Sequence, residues 1–123
     1  MPIFEPWDIV RVPFPYTDRP IRQRRPALVI AADKIEAEHG LLWLMMITSA
    51  ENRGWPSDIA ISDLVLAGLP AASIVRAAKI ATVEARDAQR LGMLPPADRD
   101  AVSLQLKRLL APVLGSIEPR GHR

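Results

Sequence analysis

The chain has no cysteine. That removes disulfides, thiolate nucleophiles, cysteine-ligated zinc and iron–sulfur clusters at once. Histidine is almost as scarce. His39 and His122 stand far apart in the sequence, so a histidine-rich metal site within one chain is not expected. The glycines fall at positions 40, 54, 68, 92, 115 and 121. No two have the spacing of a phosphate loop or a dinucleotide-binding fingerprint, which argues against nucleotide-driven and NAD-dependent chemistry. Long apolar runs are missing too. The longest, Leu41 to Ile47, is seven residues, against the roughly 20 that a membrane-spanning helix needs. The opening MPIFEPW carries neither the basic nor the apolar segment of a secretory leader. The expected address is the cytoplasm, with no membrane association, no metal and no cofactor.

What is present is uneven charge. The formal net charge is +2 over 123 residues, yet Tyr16 to Arg25 (YTDRPIRQRR) holds four arginines and one aspartate, net +3, which leaves 2 − 3 = −1 for the remainder. A concentrated positive stretch on a near-neutral body points to an anionic partner, with nucleic acid first in line. A solvated loop is the plainer alternative from charge alone.

The length fits one domain over residues 1–123. Six of the 12 prolines lie in the first 26 residues, so that stretch reads as extended chain and loop. Asp8 to Val12 alternates like a half-buried strand and ends at Pro13 and Pro15. Ala27 to Ala32 reads as a second strand, entered through Arg25-Pro26. The proline holds Arg25 in extended geometry at the strand mouth. Asp33 to Gly40 reads as a turn or one helical turn. Leu41 to Ile47, apolar on both faces, reads as a central strand running into Thr48 and Ser49. A loop (Glu51 to Ser57) precedes a short strand, Asp58 to Ile61. One helical turn, capped by Ser62 and closed by Gly68, follows. Ser73 to Val83 is expected to be a long strand with a bulge near Ala77-Ala78. Pro95-Pro96 opens a helix at about 96–111 with an apolar stripe of Val102, Leu106, Leu109 and Leu110, stopped by Pro112. Residues 118–123 form a tail. Trp7 and Trp43 are expected in the core, and His39 beside Gly40 is read as structural. Five strands and one C-terminal helix describe a mainly β (α+β) fold, a small partly open barrel over about residues 7–84.

Three segments carry more together than apart: WDIVRVPFPYTD (Trp7 to Asp18), RRPALVI (Arg24 to Ile30) and MITSA (Met46 to Ala50). With AGLPAASIVR (Ala67 to Arg76) and RLGML before the last helix, their order and spacing resemble the MazF/PemK family of toxin–antitoxin ribonucleases over about residues 7–111. The resemblance implies an SH3-like barrel of the CcdB/MazF/PemK type acting as a homodimer. It implies metal-independent cleavage of single-stranded RNA, including mRNA, at short specific sequences, with consequent growth inhibition. It also implies a cognate antitoxin whose disordered tail covers the RNA groove.

Metal-free RNA cleavage needs a base for the 2′-hydroxyl, a cation for the pentacoordinate phosphorane and an acid for the leaving 5′-oxygen. The product is a 2′,3′-cyclic phosphate. Without cysteine or a usable histidine pair, arginine must supply the cation, and its planar fork matches phosphate oxygens. By the resemblance, Arg25 binds and polarises the scissile phosphate, Thr48 positions an oxygen, and Arg76 serves as acid and phosphorane stabiliser. The plainer readings are a surface arginine beside a proline for Arg25, a β-branched strand end for Thr48, and an outward strand arginine or a structural salt bridge inside the groove for Arg76. The sequence departs from the family where Ala78 replaces an aspartate that some members use. Asp18, Glu51 and Asp58 are the carboxylates near the expected groove, none singled out as the base. Arg22, Arg24, Ser49, Arg53 and Lys79 are candidate RNA contacts, and Trp55 a candidate stacking platform, with a hydrophobic plug or a dimer contact as its plainer readings.

Two alternatives stay open. One is a catalytically weak RNA-binding member of the family. The other is a CcdB-like toxin that inhibits gyrase through aromatic C-terminal residues, a mode that the ending EPRGHR does not favour.

Overall fold

The computed structural model describes residues 3–13 and 23–115. Arg22, Asp18, His122 and the tail 118–123 lie outside the described residues. The elements run β1 (Asp8–Pro13), β2 (Arg24–Ala31), α1 (Asp33–His39), β3 (Leu41–Ser49), β4 (Asp58–Ala60), α2 (Leu64–Ala67), β5 (Ser73–Glu84), β6 (Gln89–Met93) and α3 (Pro96–Leu114). The strands make one antiparallel sheet in the order β4-β5-β3-β2-β1-β6. The two ends, β4 and β6, do not pair, so the sheet stays open. This is the mainly β architecture with a C-terminal helix that the sequence implied.

Both faces of the central strands are covered. Ile9, Leu28, Met45, Ile47 and Val75 pack with Ala67, Leu94 and Val102 in one core, toward α2 and α3. Val10, Val12, Ala27, Val29, Leu42, Leu44 and Met46 pack with Phe4 in another. A strand buried on both sides must be apolar throughout, which accounts for the unbroken run in β3. The expected irregularity in β5 is there. Met46 pairs with Arg76 and Met45 with Ile80, so the register steps over Ala77, Ala78 and Lys79.

Several details correct the sequence reading. There are six strands among the described residues, not five. β6 pairs with β1 despite its polar and glycine-containing sequence. Gly92 in β6 passes so close to α2 that a Cβ would meet the backbone carbonyl of Leu66 and stand 2.6 Å from the carbonyl carbon of Ala67. Trp43 is exposed rather than core, whereas Trp7 packs half-buried against the first core. Asp63, not Ser62, caps α2, its carboxylate accepting from the Leu66 N–H at 3.1 Å. Ser62 instead donates its N–H and hydroxyl to Asp98 Oδ2, at 2.9 and 3.0 Å, and so ties the end of β4 to the start of α3. Pro112 does not stop α3, which continues to Leu114. A proline so near a helix end removes one hydrogen bond only. Val102 and Leu106 of the α3 stripe pack inward, but Leu109 is exposed. No helix among the described residues is long and apolar enough to cross a membrane.

Candidate active site

β2 and β3 run antiparallel with Ala27 opposite Met46. Two residues further along each strand stand Arg25 and Thr48, at the same end of the sheet. On the other side of β2, Val12 lies opposite Arg25 and Arg11 opposite Pro26. These strand ends and the 68–73 segment surround a cleft of about 450 Å³. Arg11, Arg24, Arg25 and Pro26 line it from β1 and β2, and Ile47, Thr48 and Ser49 from β3. Gly68 to Ser73 and Leu91 complete the wall. The lining contributes three guanidinium groups and, among the described residues, no carboxylate. An anion is the ligand such a surface suits.

Arg25 carries the most telling detail. Its Nε is buried and has no hydrogen-bond partner among the described residues. A desolvated donor left unpaired costs about 1–3 kcal/mol, and an anionic oxygen in the cleft would recover it. Thr48 is buried, and its Oγ1 accepts from Asn52 Nδ2 at 3.1 Å. Ser49 Oγ accepts from the Glu51 N–H at 3.2 Å and starts the short 3-10 turn Ala50–Asn52. Arg24 Nη2 reaches the carbonyls of Arg11 and Asp87 only at 3.5 Å each. It is an exposed, weakly held cation.

Arg76 lies elsewhere. Its Nε donates to Asp58 Oδ1 at 3.1 Å, and its Nη2 to Asp58 Oδ2 at 2.9 Å and to the Asn52 carbonyl at 2.7 Å. The guanidinium sits 4.2 Å from the Trp55 ring centroid. Asp58 also accepts from the N–H groups of Gly54 and Trp55, at 3.2 and 3.1 Å. Both charged side chains are about nine-tenths buried. The hydrogen bonds from Arg76, helped by the Gly54 and Trp55 amides, hold the Asp58 carboxyl below its ordinary range against the opposing effect of burial. The same pairing pushes Arg76 higher still. β4 pairs with β5 so that Asp58 is directly opposite Arg76, and the fold itself makes this contact.

The residues singled out from sequence therefore separate into two groups. Arg24, Arg25, Thr48 and Ser49 line the cleft. Arg76, Asp58 and the half-exposed Trp55 form a neighbouring cluster outside its lining. Asn52 touches both groups, through its side chain to Thr48 and its carbonyl to Arg76. Arg53 is exposed and bonds back to the Ala50 carbonyl at 3.0 Å. Lys79 is exposed in the β5 irregularity, and Glu51 is exposed and away from the cleft lining. Arg11 was not singled out from sequence. Its signal was a charged residue set between the inward valines of β1, one strand away from the arginine pair. Among the described residues no three His, Asp or Glu side chains come together as a metal site would require.

A family model described as "PemK-like, MazF-like toxin of type II toxin-antitoxin system" matches residues 5–110. Among solved structures, MazF from Deinococcus radiodurans is similar at 23% identity and a TM-score of 0.71, covering 89% of this chain and 97% of that one. The MazE–MazF complex of the same organism gives 24% identity and 0.69, covering 88% and 95%. An endoribonuclease in complex with its cognate antitoxin from Mycobacterial species gives 19% and 0.64, covering 93% and 97%. At these identities the likeness establishes the fold. No curated protein matches the chain.

Proposed function

The chain belongs to the PemK-like, MazF-like toxin family of type II toxin–antitoxin systems, and from that premise we propose that it is an endoribonuclease, cutting single-stranded RNA without a metal at short specific sequences and so inhibiting growth. One observation carries the reading: the buried, unpartnered Nε of Arg25 beside Thr48 in an arginine-lined cleft.

In the proposed reaction the scissile phosphate sits against Arg25, whose fork meets two of its oxygens, while the Thr48 hydroxyl donates to one of them. The adjacent 2′-hydroxyl attacks phosphorus, its proton passing to water, and the bond to the 5′-oxygen breaks as that oxygen takes a proton from water. The products are a 2′,3′-cyclic phosphate and a 5′-hydroxyl. Charge on the phosphorane grows where the guanidinium already stands, and that is the catalytic contribution. The described lining offers no carboxylate as base, so positioning and electrostatics carry the rate, which is expected to be slow. The contacts of Arg76 favour a supporting part over that of proton donor, since each of its described bonds goes to Asp58 or Asn52.

Arg11, Arg24, Arg53 and Lys79 are assigned to backbone phosphates, with Ser49 at the cleft and the open face of Trp55 available to an unpaired base. Arg22 belongs to the same proposed set by its place in the basic stretch. A cognate antitoxin is the proposed protein partner, its tail covering the cleft. A second copy of the chain completes a homodimer, and the cytoplasm, where RNA is met, is the assigned location.

The test is purified protein incubated with a long single-stranded RNA in EDTA, with the cleavage ends mapped. Cuts at a short recurring sequence that persist in EDTA and vanish in Arg25→Ala support the reading. RNA bound but left whole supports a binding protein, the second choice, favoured by a described lining that holds no carboxylate. Intact RNA with inhibited DNA supercoiling supports a gyrase inhibitor.

A further inference from the structure

A hydroxyl has one proton to give and two lone pairs to receive. Which of these faces a ligand depends on what already occupies the others. Thr48 Oγ1 accepts a hydrogen bond from Asn52 Nδ2 at 3.1 Å. With that lone pair engaged, the proton of Thr48 is left to point at something else, and Thr48 lines the arginine cleft. Thr48 is also buried and β-branched, so its side chain has little freedom to turn away.

Asn52 is itself fixed. It closes the 3-10 turn Ala50–Asn52, which begins at the Ser49 cap and is pinned to the 68–73 segment by the Ala50 N–H donating to the Ala72 carbonyl at 3.0 Å. Its own carbonyl accepts from Arg76 Nη2 at 2.7 Å, and Arg76 is held at two points by Asp58. A chain of hydrogen bonds thus runs from a buried ion pair, through one asparagine, to a hydroxyl in the cleft.

Resting on the ribonuclease reading above, we infer that Asn52 is a positioning residue that makes Thr48 a hydrogen-bond donor to the phosphate, and that Arg76 acts through Asn52 rather than on the substrate. The direction of the bond is what matters. An aspartate at position 52 has nearly the same shape but only accepts, so it would draw the Thr48 proton to itself and away from the cleft.

The experiment uses the full chain, a short single-stranded RNA carrying one site mapped with the wild type, and five proteins: wild type, Asn52→Asp, Asn52→Ala, Thr48→Ala and the Thr48→Ala/Asn52→Asp double variant. Thermal melts identify which variants are folded, and Asn52→Ala serves should Asn52→Asp fail to fold. The expected result for Asn52→Asp is a kcat lower by about tenfold or more, the size of one lost hydrogen bond to a charged group, with KM nearly unchanged. Asn52→Ala falls less, because it leaves the hydroxyl proton free to choose. In the Thr48→Ala background, Asn52→Asp has little further effect, since the two residues act as one unit.

Wild-type cleavage together with a folded Asn52→Asp or Asn52→Ala protein of wild-type kcat overturns the inference and leaves the ribonuclease reading standing. So does a double variant that loses the full product of the two single effects. A wild-type protein that leaves RNA whole overturns the ribonuclease reading, and this inference with it.

Discussion

Arg76 and Asp58 face each other across paired strands in a two-point contact, Nε to Oδ1 at 3.1 Å and Nη2 to Oδ2 at 2.9 Å, with both side chains about nine-tenths buried. The same pair anchors the 50–57 loop, because Asp58 also gathers the amides of Gly54 and Trp55 and Arg76 the carbonyl of Asn52.

Removing one member of such a pair strands the other as a buried charge. Asp58→Ala and Arg76→Ala are each expected to destabilise the fold by on the order of 3 kcal/mol. Urea unfolding followed by circular dichroism measures it. A change below about 0.5 kcal/mol, the range of ordinary surface substitutions, would contradict the anchoring role.

Acid should act on the same contact. The Asp58 carboxyl is held below its ordinary range by Arg76, so its stabilising contribution is complete above the unfolded-state value and disappears as pH falls through the depressed folded-state value. Wild-type stability is expected to fall on acidification, and that part of the fall should be missing in Asp58→Asn. Urea midpoints of the two proteins, taken from neutral pH downward, check this. Parallel curves would exclude Asp58 as a contributor.

Charge alone should not replace Arg25. Lysine keeps the positive charge but loses the planar fork and the Nε donor. Arg25→Lys is expected to lose roughly a hundredfold or more in cleavage, with RNA affinity falling far less. Single-turnover cleavage and equilibrium binding to uncleavable 2′-O-methyl RNA separate the two effects. Near-normal cleavage by the lysine variant would reduce Arg25 to a point charge.

Arg11 lines the cleft, although the sequence reading passed over it. If it meets a backbone phosphate, Arg11→Ala should weaken binding equally for all RNA sequences. It should also reduce the slope of log affinity against log salt by about 0.7, the value for one single-strand phosphate contact. Binding titrations across a range of salt concentrations report the slope. An unchanged slope would place Arg11 outside the RNA path.

Much of this arrangement was legible from residues alone. The alternation of β1 and the apolar runs of β2 and β3 disclosed the sheet, since burial on both faces of the central strands leaves little room for polar side chains. Arg25 and Thr48 were linked through the family resemblance, and the β2–β3 register is what brings them to the same end of the sheet. β6 was not legible. It is short and polar, and its glycine is set by the close approach of α2 rather than by a turn. Trp43 looked like core because its neighbours are, but it is exposed on β3 where Thr82 stands opposite. The pairing of Arg76 with Asp58 depends on the β4–β5 register, and Asn52 gains its meaning only once that register brings Arg76 beneath it. Contacts of this kind are created by tertiary structure and leave no local mark on composition or periodicity.

The irregularity in β5 decides which core each half of the strand serves. From Arg76 to Ile80 there are four steps along β5 for one step along β3, and the mismatch swaps the face presented by alternate residues. Val75 faces the first core before it, while Ala81 and Val83 face the second after it. The segment therefore works as a parity switch. An unbroken strand would place Val75 and Ala81 on the same face, and the irregularity lets one strand complete both cores.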